Sequence, residues 1–201
     1  MKIFILRHGE SLANSEKRLP TQDTQLTEKG IRQATAASAY LSGKGVQVIY
    51  ASPAARALQT ARTVFGRLNV PIIVRPEMRD MSYGIFGGRK EDGSDEEVNR
   101  HLEQREKDRL GYRFPGGENF HDLQKRLLPA LGEILNSGNE TTAIVGHLYP
   151  NRIIVSKLLG MELEGSLRIR QPNDLVYTVD TTTGAVRHWS ASAEGEGLLF
   201  T

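Results

Sequence analysis

The chain has 201 residues, no cysteine, and 26 Lys and Arg residues that nearly balance 24 Asp and Glu residues. This length supports one domain with a substantial core, and the lack of cysteine excludes disulfides, thiol chemistry and zinc–thiolate sites. The net charge of +2 does not indicate a nucleic-acid partner, and the apolar run at residues 3–6 is too short for a signal peptide or a membrane span. We therefore expect a single cytoplasmic domain over residues 1–201 that binds neither nucleic acid nor membrane.

Apolar runs alternate with helical patterns along most of the chain. Strands are predicted at Lys2–Leu6, Val46–Tyr50, Ile72–Val74 and Thr142–Gly146. Helices are predicted between and after them, at residues 27–41, 52–64, 95–107, 118–136 and 150–159. This alternation is typical of an α/β fold with a doubly wound, mostly parallel sheet and helices on both faces.

The last third and a glycine-rich central segment depart from this alternation. Leu175–Asp180 and Ala185–Trp189 predict a hairpin around the turn at residues 182–184, which would finish an edge of the sheet. Residues 81–94 carry four glycines and little periodicity, so we expect a loop there. Residues 190–201 are predicted to be a frayed tail whose apolar end docks locally.

Polar side chains follow three of the predicted strands. Arg7 and His8 follow the first strand, Arg56 lies shortly after the second, and His147 follows the fourth. Because parallel strands end at one edge of a sheet, we expect these side chains to face a common cleft. Two imidazoles and two guanidinium groups are costly to place together unless a dianion lies between them, and a phosphoryl group is the simplest such ligand. Taken alone, His147 has the alternative of being a buried structural histidine, and Arg56 has the alternative of being an exposed helix arginine.

The motifs around these residues resemble those of the histidine phosphatase superfamily, the phosphoglycerate mutase-like proteins. They are, in chain order, Arg7-His8-Gly9-Glu10-Ser11 with Asn14, Ser52-Pro53 with Arg56, Gln59 and Thr60, Pro115-Gly116-Gly117-Glu118, and Gly146-His147. The resemblance spans about residues 3–160. It implies a phosphoglycerate mutase-like fold, and it does not identify a substrate.

The resemblance also implies covalent catalysis through a phosphohistidine. His8 is expected to attack phosphorus as a neutral imidazole, after which water hydrolyses the phosphoenzyme. Arg7 and Arg56 would clamp the nonbridging oxygens, and His147 and Asn14 would donate further hydrogen bonds. Such a mechanism requires neither a cofactor nor a metal ion.

A proton donor for the leaving group is expected in the segment before Tyr83-Gly84. Asp80 occupies the position where relatives usually carry glutamate, so it is the predicted proton donor and the subsequent base for water. Glu77 is the alternative donor. For either carboxylate, the structural alternative is a surface ion pair with Arg75 or Arg79.

The stretch before the third motif is similar to the fructose-2,6-bisphosphatase branch, in which basic residues hold a second phosphate. By this match, Arg105 and Arg109 are candidates for binding a distal phosphate or carboxylate, and a solvated helix face is the alternative. Two positions depart from that branch. Glu91 stands in place of a phosphate-contacting tyrosine, and Leu148-Tyr149 follow the fourth motif in place of Gln or Gly. Leu148 and Tyr149 predict a less polar substrate wall, and packing against the core is the alternative for each.

These features together predict a phosphomonoesterase that acts on a small phosphorylated metabolite. Phosphoglycerate mutase-type transfer is the alternative within the superfamily, although relatives with that activity look longer in the middle and tail. A catalytically inactive binding relative is a third alternative, but the core residues are all present. A metal-dependent hydrolase would use His8, His147 and Asp80 as ligands, which the two neighbouring permanent cations disfavour.

Overall fold

The protein is described by a computed structural model that covers residues 1–200, apart from the side chain of Phe65. Its elements in chain order are β1 (Lys2–Arg7), α1 (Leu12–Glu16), α2 (Glu28–Leu41), β2 (Val48–Ala51), α3 (Ala55–Leu68), β3 (Ile72–Val74), α4 (Glu96–Lys107), α5 (Phe120–Leu135), β4 (Thr141–Gly146), α6 (Leu148–Leu158), α7 (Leu163–Ser166), β5 (Val176–Asp180), β6 (Val186–Ser190) and β7 (Ala193–Glu196). Two 3₁₀ turns, Pro76–Met78 and Gly84–Phe86, lie between β3 and α4. Within residues 1–200, no helix combines the length and apolarity needed to cross a bilayer.

The seven strands form one sheet in the order β3-β2-β4-β1-β5-β6-β7. Strands β1 to β4 run parallel to one another, whereas β5 pairs antiparallel with β1 and is followed by the antiparallel strands β6 and β7. The predicted α/β fold is confirmed, and the antiparallel strands complete a mixed sheet. The parallel half brings the carboxyl ends of β1, β2 and β4 to one edge, which is where ligands bind in open α/β sheets.

Helices cover both faces of the sheet, and each face has its own apolar core. Ile3 and Ile5 of β1 pack into a cluster with residues of α5 and α6. Phe4 and Leu6 point to the other side, into a cluster with residues of α2 and α3. Side chains alternate between the faces of a strand, so a central strand buried on both faces is apolar throughout. This explains the continuous apolar run that precedes Arg7.

The carboxyl-terminal segment differs from the predicted frayed tail. Ala193–Glu196 form β7 and pair with β6. The apolar end docks locally as expected, because Phe200 forms a bridge with Ile169 and the Leu199 amide donates to the Tyr177 hydroxyl. The sequence is small and polar here, so it lacks the apolar alternation by which strands are recognised.

The helix predicted from residue 52 begins at Ala55. Ser52 still accepts a hydrogen bond from the Ala54 amide, over 3.3 Å, but it stands before the helix as part of the turn that leaves β2. The short helix α1, which follows the first motif, was not predicted. Ser11 is its N-cap, and the side chains of Ser11 and Asn14 form a reciprocal capping box.

Two glycines allow the loop after β1 to lie directly against the start of α2. A Cβ at Gly9 would lie 2.2 Å from the Gly30 carbonyl oxygen, and a Cβ at Gly30 would lie 2.1 Å from the Glu10 carbonyl oxygen. The Thr27 amide also donates to the Glu10 carbonyl over 2.9 Å. This close packing fixes the backbone immediately after the first motif histidine, because any larger side chain would force the two segments apart.

Candidate active site

The parallel edge of the sheet carries four of the predicted site residues. Arg7 ends β1, His8 follows it, Arg56 lies in the first turn of α3, and His147 follows β4. A cavity of about 180 Å³ opens at this edge. The predicted site residues that line it are Arg7, His8, Asn14, Arg56, Asp80 and Leu148, whereas His147 is completely buried and does not line it.

His8 is held as a neutral imidazole. Its side chain is almost completely buried, its Nδ1 lies 2.7 Å from the Gly9 carbonyl oxygen, and Arg56 Nε donates to its Nε2 over 3.2 Å. Because a carbonyl oxygen can only accept, Nδ1 carries the proton and Nε2 keeps its lone pair. Burial, and then the positive groups around the ring, lower the pKa of His8 well below its usual 6.5. Nε2 therefore stays unprotonated at neutral pH, and its lone pair, which accepts from Arg56 in this structure, can act as a nucleophile once that hydrogen bond is released.

Arg56 joins this histidine to the carboxylate of the site. Its side chain is only 1% exposed, so the alternative of a solvated helix arginine is wrong. Nη2 lies 3.0 Å from Asp80 Oδ2, and Nη1 donates to the Thr21 carbonyl over 2.7 Å. Together with the bond from Nε to His8, these contacts occupy three of the five guanidinium N–H groups. The other two remain for a ligand.

His147 is completely buried beside His8, with the two ring centres 5.2 Å apart. Its Nε2 lies 2.7 Å from Ser52 Oγ, which also accepts a backbone N–H bond. The Ser52 hydroxyl proton is thus available to Nε2, which leaves the ring proton of His147 on Nδ1. Nδ1 has no hydrogen-bond partner among residues 1–200, and it lies 3.5 Å from Asp80 Oδ2. Burial, and then the nearby guanidinium groups, lower the pKa of His147 well below 6.5, so the ring is a neutral donor.

Of the two predicted proton donors, only Asp80 reaches the cavity. One of its oxygens faces both Arg56 and His147, and the other accepts the Met81 amide over 3.0 Å. Glu77 does not line the cavity. The geometry therefore favours Asp80 over Glu77 for contact with a ligand.

Asn14 is oriented by the cap of α1. Its Oδ1 accepts from the Ser11 amide and hydroxyl, over 3.1 Å and 3.0 Å. Since these donors occupy the oxygen, the Asn14 side-chain N–H₂ group remains as a donor at the cavity.

Residues 171–173 complete the site and were missed in the sequence. The Gln171 carbonyl accepts from Arg7 Nη1 over 3.0 Å, and Asn173 Nδ2 donates to the His8 carbonyl over 2.8 Å. These residues precede β5, and β5 runs antiparallel to β1, so its start lies beside the end of β1. The polar run before an apolar strand is visible in the sequence, but its position depends on the strand pairing.

The structure places neither of the predicted second-anion residues in the cavity lining. Arg105 packs against Tyr83 and Tyr149, with its guanidinium 6.0 Å and 5.5 Å from their ring centres and Nη1 3.4 Å from the Tyr83 hydroxyl. Arg109 is 42% exposed, and its Nε lies 3.8 Å from Glu106. Neither arginine therefore lines this cavity, and a second-anion site at Arg105 and Arg109 stays a prediction.

Because both site histidines are held neutral, the stability of the fold should depend on pH below about 6.5. In the unfolded chain each imidazole takes up a proton as the pH falls through this value, whereas the folded protein resists protonation. The corresponding stabilisation is fully present above pH 6.5. It is lost at lower pH, by up to about 1.4 kcal/mol per pH unit for each histidine.

We expect this dependence to be weaker in a His8→Gln variant. Urea denaturation in phosphate-free buffer gives the free energy of unfolding at about pH 7 and about pH 5.5. The decrease in this free energy between the two pH values should be smaller in His8→Gln than in the wild type by roughly 1 kcal/mol. Comparing each protein with itself cancels the direct cost of the substitution. Equal losses in the two proteins would mean that His8 is not held neutral by the fold.

Comparison with known proteins gives one family. Residues 3–191 match the family model of the histidine phosphatase superfamily (branch 1). A protein of Yersinia pestis named as a probable phosphoglycerate mutase, GpmB, is 29% identical over 182 residues, which are 90% of this chain and 85% of that protein.

Solved structures have the same fold. A putative α-ribazole-5′-P phosphatase from Escherichia coli superposes with a TM-score of 0.83 at 21% identity, over 100% of this chain and 96% of the other. A mycobacterial glucosyl-3-phosphoglycerate phosphatase gives a TM-score of 0.77 at 24% identity, over 98% and 96%. With the family match spanning nearly the whole sequence, the chain belongs to the histidine phosphatase superfamily.

Proposed function

We propose that the protein hydrolyses phosphomonoesters of small metabolites through a phosphohistidine formed on His8. The observation that carries this proposal is the Nε2 lone pair of a buried, neutral His8, placed beside Arg56 in a cavity that also contains the Asp80 carboxylate. A cavity of about 180 Å³ suits a small ester.

In the first step His8 Nε2 forms the bond to phosphorus while the bond from phosphorus to the leaving oxygen breaks. The guanidinium groups of Arg7 and Arg56 balance the charge of the nonbridging oxygens, and the Nδ1–H group of His147 adds a donor. The imidazole gains a positive charge as it is phosphorylated, and the bond from its Nδ1–H to the Gly9 carbonyl stabilises that charge.

Asp80 donates a proton in the first step and accepts one in the second. In its protonated form it gives its proton to the departing alkoxide, so that a neutral alcohol leaves. The resulting carboxylate then accepts a proton from water as the water oxygen attacks phosphorus and the bond from phosphorus to nitrogen breaks. The cycle ends with inorganic phosphate, a neutral His8 and a protonated Asp80.

Mutase-type transfer is the second candidate, because a relative of 29% identity is named as a probable phosphoglycerate mutase. A mutase must keep water away from its phosphoenzyme until a second hydroxyl group takes the phosphoryl group. The fate of the phosphoenzyme therefore distinguishes the two functions.

We expect the purified protein to release inorganic phosphate from p-nitrophenyl phosphate and from glycerol 3-phosphate in the presence of EDTA. The same assay on 3-phosphoglycerate, followed by separation of the 2- and 3-isomers, tests for transfer. Isomerisation without net release of phosphate would contradict hydrolysis. Activity that EDTA removes and a divalent ion restores would contradict the metal-independent mechanism.

A further inference from the structure

The wall of the cavity presents one carboxylate that has no partner in the fold. Glu91 lines the cavity, and within residues 1–200 its carboxylate makes no hydrogen bond or ion pair, although its backbone amide donates to the Lys17 carbonyl over 2.8 Å. By accessible surface the Glu91 side chain is exposed, although the atoms packed around its carboxylate raise its pKa by desolvation. The carboxylate is therefore free to accept a hydrogen bond from a donor on a ligand in the cavity.

Arg18, a cation of the same cavity lining, is already engaged elsewhere. Arg18 also lines the cavity and belongs to the segment paired with Lys90, but its Nε lies 2.8 Å from Glu16 and its Nη1 donates to the Gly88 carbonyl. Arg18 makes no ion pair with Glu91, so the Glu91 carboxylate is left without an ion-pair partner among residues 1–200.

Arg105 is the cation whose charge acts on Glu91, where it opposes the rise of the pKa, and Arg105 does not itself line the cavity. The rings of Tyr83 and Tyr149 lie between 5.5 and 6.0 Å from its guanidinium, and both tyrosines line the cavity. A second phosphate or carboxylate in the cavity would therefore contact the tyrosine rings and the Glu91 carboxylate, which line it, rather than the guanidinium of Arg105, which does not.

From this arrangement we infer that Glu91 selects the alcohol part of the substrate. The site takes phosphomonoesters whose alcohol carries a hydrogen-bond donor, either a hydroxyl or an ammonium group, and it disfavours alcohols that carry a second anionic group. This inference rests on the proposed phosphatase function and adds a substrate class to it. Glu91 binds the donor directly, whereas a second anion is repelled by its charge.

Glycerol 3-phosphate and 3-phosphoglycerate provide a matched pair, because they differ only in a terminal hydroxymethyl or carboxylate group. We expect wild-type kcat/KM to be higher for glycerol 3-phosphate, and the ratio of the two values to fall about fivefold or more in Glu91→Gln. Phosphoethanolamine provides the ammonium arm. In Glu91→Gln, the kcat/KM of phosphoethanolamine relative to that of 3-phosphoglycerate should also fall. A larger fall than the one for glycerol 3-phosphate identifies ammonium as the preferred donor, and a smaller fall identifies hydroxyl.

Asp92→Asn is the matched control, since it removes one negative charge from the neighbouring position. The Asp92 carboxylate accepts from the Ser94 amide and hydroxyl, lies 3.6 Å from Lys90 Nζ and does not line the cavity, so its loss should leave the substrate ratio at the wild-type value. A ratio that Glu91→Gln leaves unchanged, in an enzyme that hydrolyses both esters, would overturn selection by Glu91 alone. Failure of the wild type to release phosphate from any ester would instead overturn the proposed function.

Discussion

Replacing His8 by alanine should abolish phosphate release from every phosphomonoester and prevent formation of an acid-labile phosphoenzyme. Nucleophile removal in other covalent enzymes lowers turnover by roughly 10⁶-fold, which would place the variant below detection. Within the His8 ring only Nε2 can attack phosphorus, because Nδ1 carries the proton that it donates to the Gly9 carbonyl. The measurement is quenching with alkali after incubation with a ³²P-labelled ester, followed by release of the label in acid.

The exposed His121 provides the matched control. His121→Ala removes an exposed imidazole from the first turn of α5. Because His121 does not line the cavity, this variant should retain wild-type turnover and labelling. His8→Gln keeps most of the buried volume and should be as inactive as His8→Ala, which separates loss of the nucleophile from loss of packing. Labelling of a folded His8 variant at the wild-type level would rule out the phosphohistidine.

The parallel half of the fold could be predicted because its evidence is local. Each of the strands β1, β2 and β4 is a short apolar run with polar residues at its end, and both faces of these strands are buried. Since parallel strands share the direction of their ends, the meeting of Arg7, Arg56 and His147 followed from the order of the elements alone.

The antiparallel half could not be predicted in the same way. The position of Gln171 beside Arg7 depends on β5 pairing with β1 rather than extending the sheet elsewhere. Strand β7 carries no apolar alternation, because its residues lie at the edge of the sheet and are mostly exposed. Pairing partners and edge strands are set by long-range contacts that no local pattern records.

Side-chain direction was the other limit. The spacing of Arg105 and Arg109 fits both a ligand site and a solvated face, and only the packing of Tyr83 and Tyr149 over Arg105 distinguishes them. Likewise, Glu77 and Asp80 are three residues apart in an irregular segment. The 3₁₀ turn and the ion pair with Arg56 bring Asp80, and not Glu77, to the cavity.

Asp80→Asn should cost kcat/KM roughly 10²- to 10⁴-fold on glycerol 3-phosphate and much less on p-nitrophenyl phosphate. An alkoxide needs a proton as it leaves, whereas p-nitrophenolate is stable enough to depart without one. We use kcat/KM because it reports only the steps up to the release of the leaving group, while kcat also includes hydrolysis of the phosphoenzyme. A series of phosphomonoesters with graded leaving-group acidity should therefore show a steeper dependence in the variant than in the wild type.

The same variant should also expose the second role of this carboxylate. Without a base for water, dephosphorylation slows, so mixing Asp80→Asn with p-nitrophenyl phosphate should give a burst of p-nitrophenol approaching one equivalent of enzyme. Glu77→Gln is the matched control, since that side chain does not line the cavity, and it should show neither the steeper dependence nor the burst. The opposite pattern, with both effects in Glu77→Gln and neither in Asp80→Asn, would reassign the proton donor. A merely structural role for Asp80 would lower turnover of all the esters by one common factor, because disorder of Arg56 affects the phosphoryl group that they share.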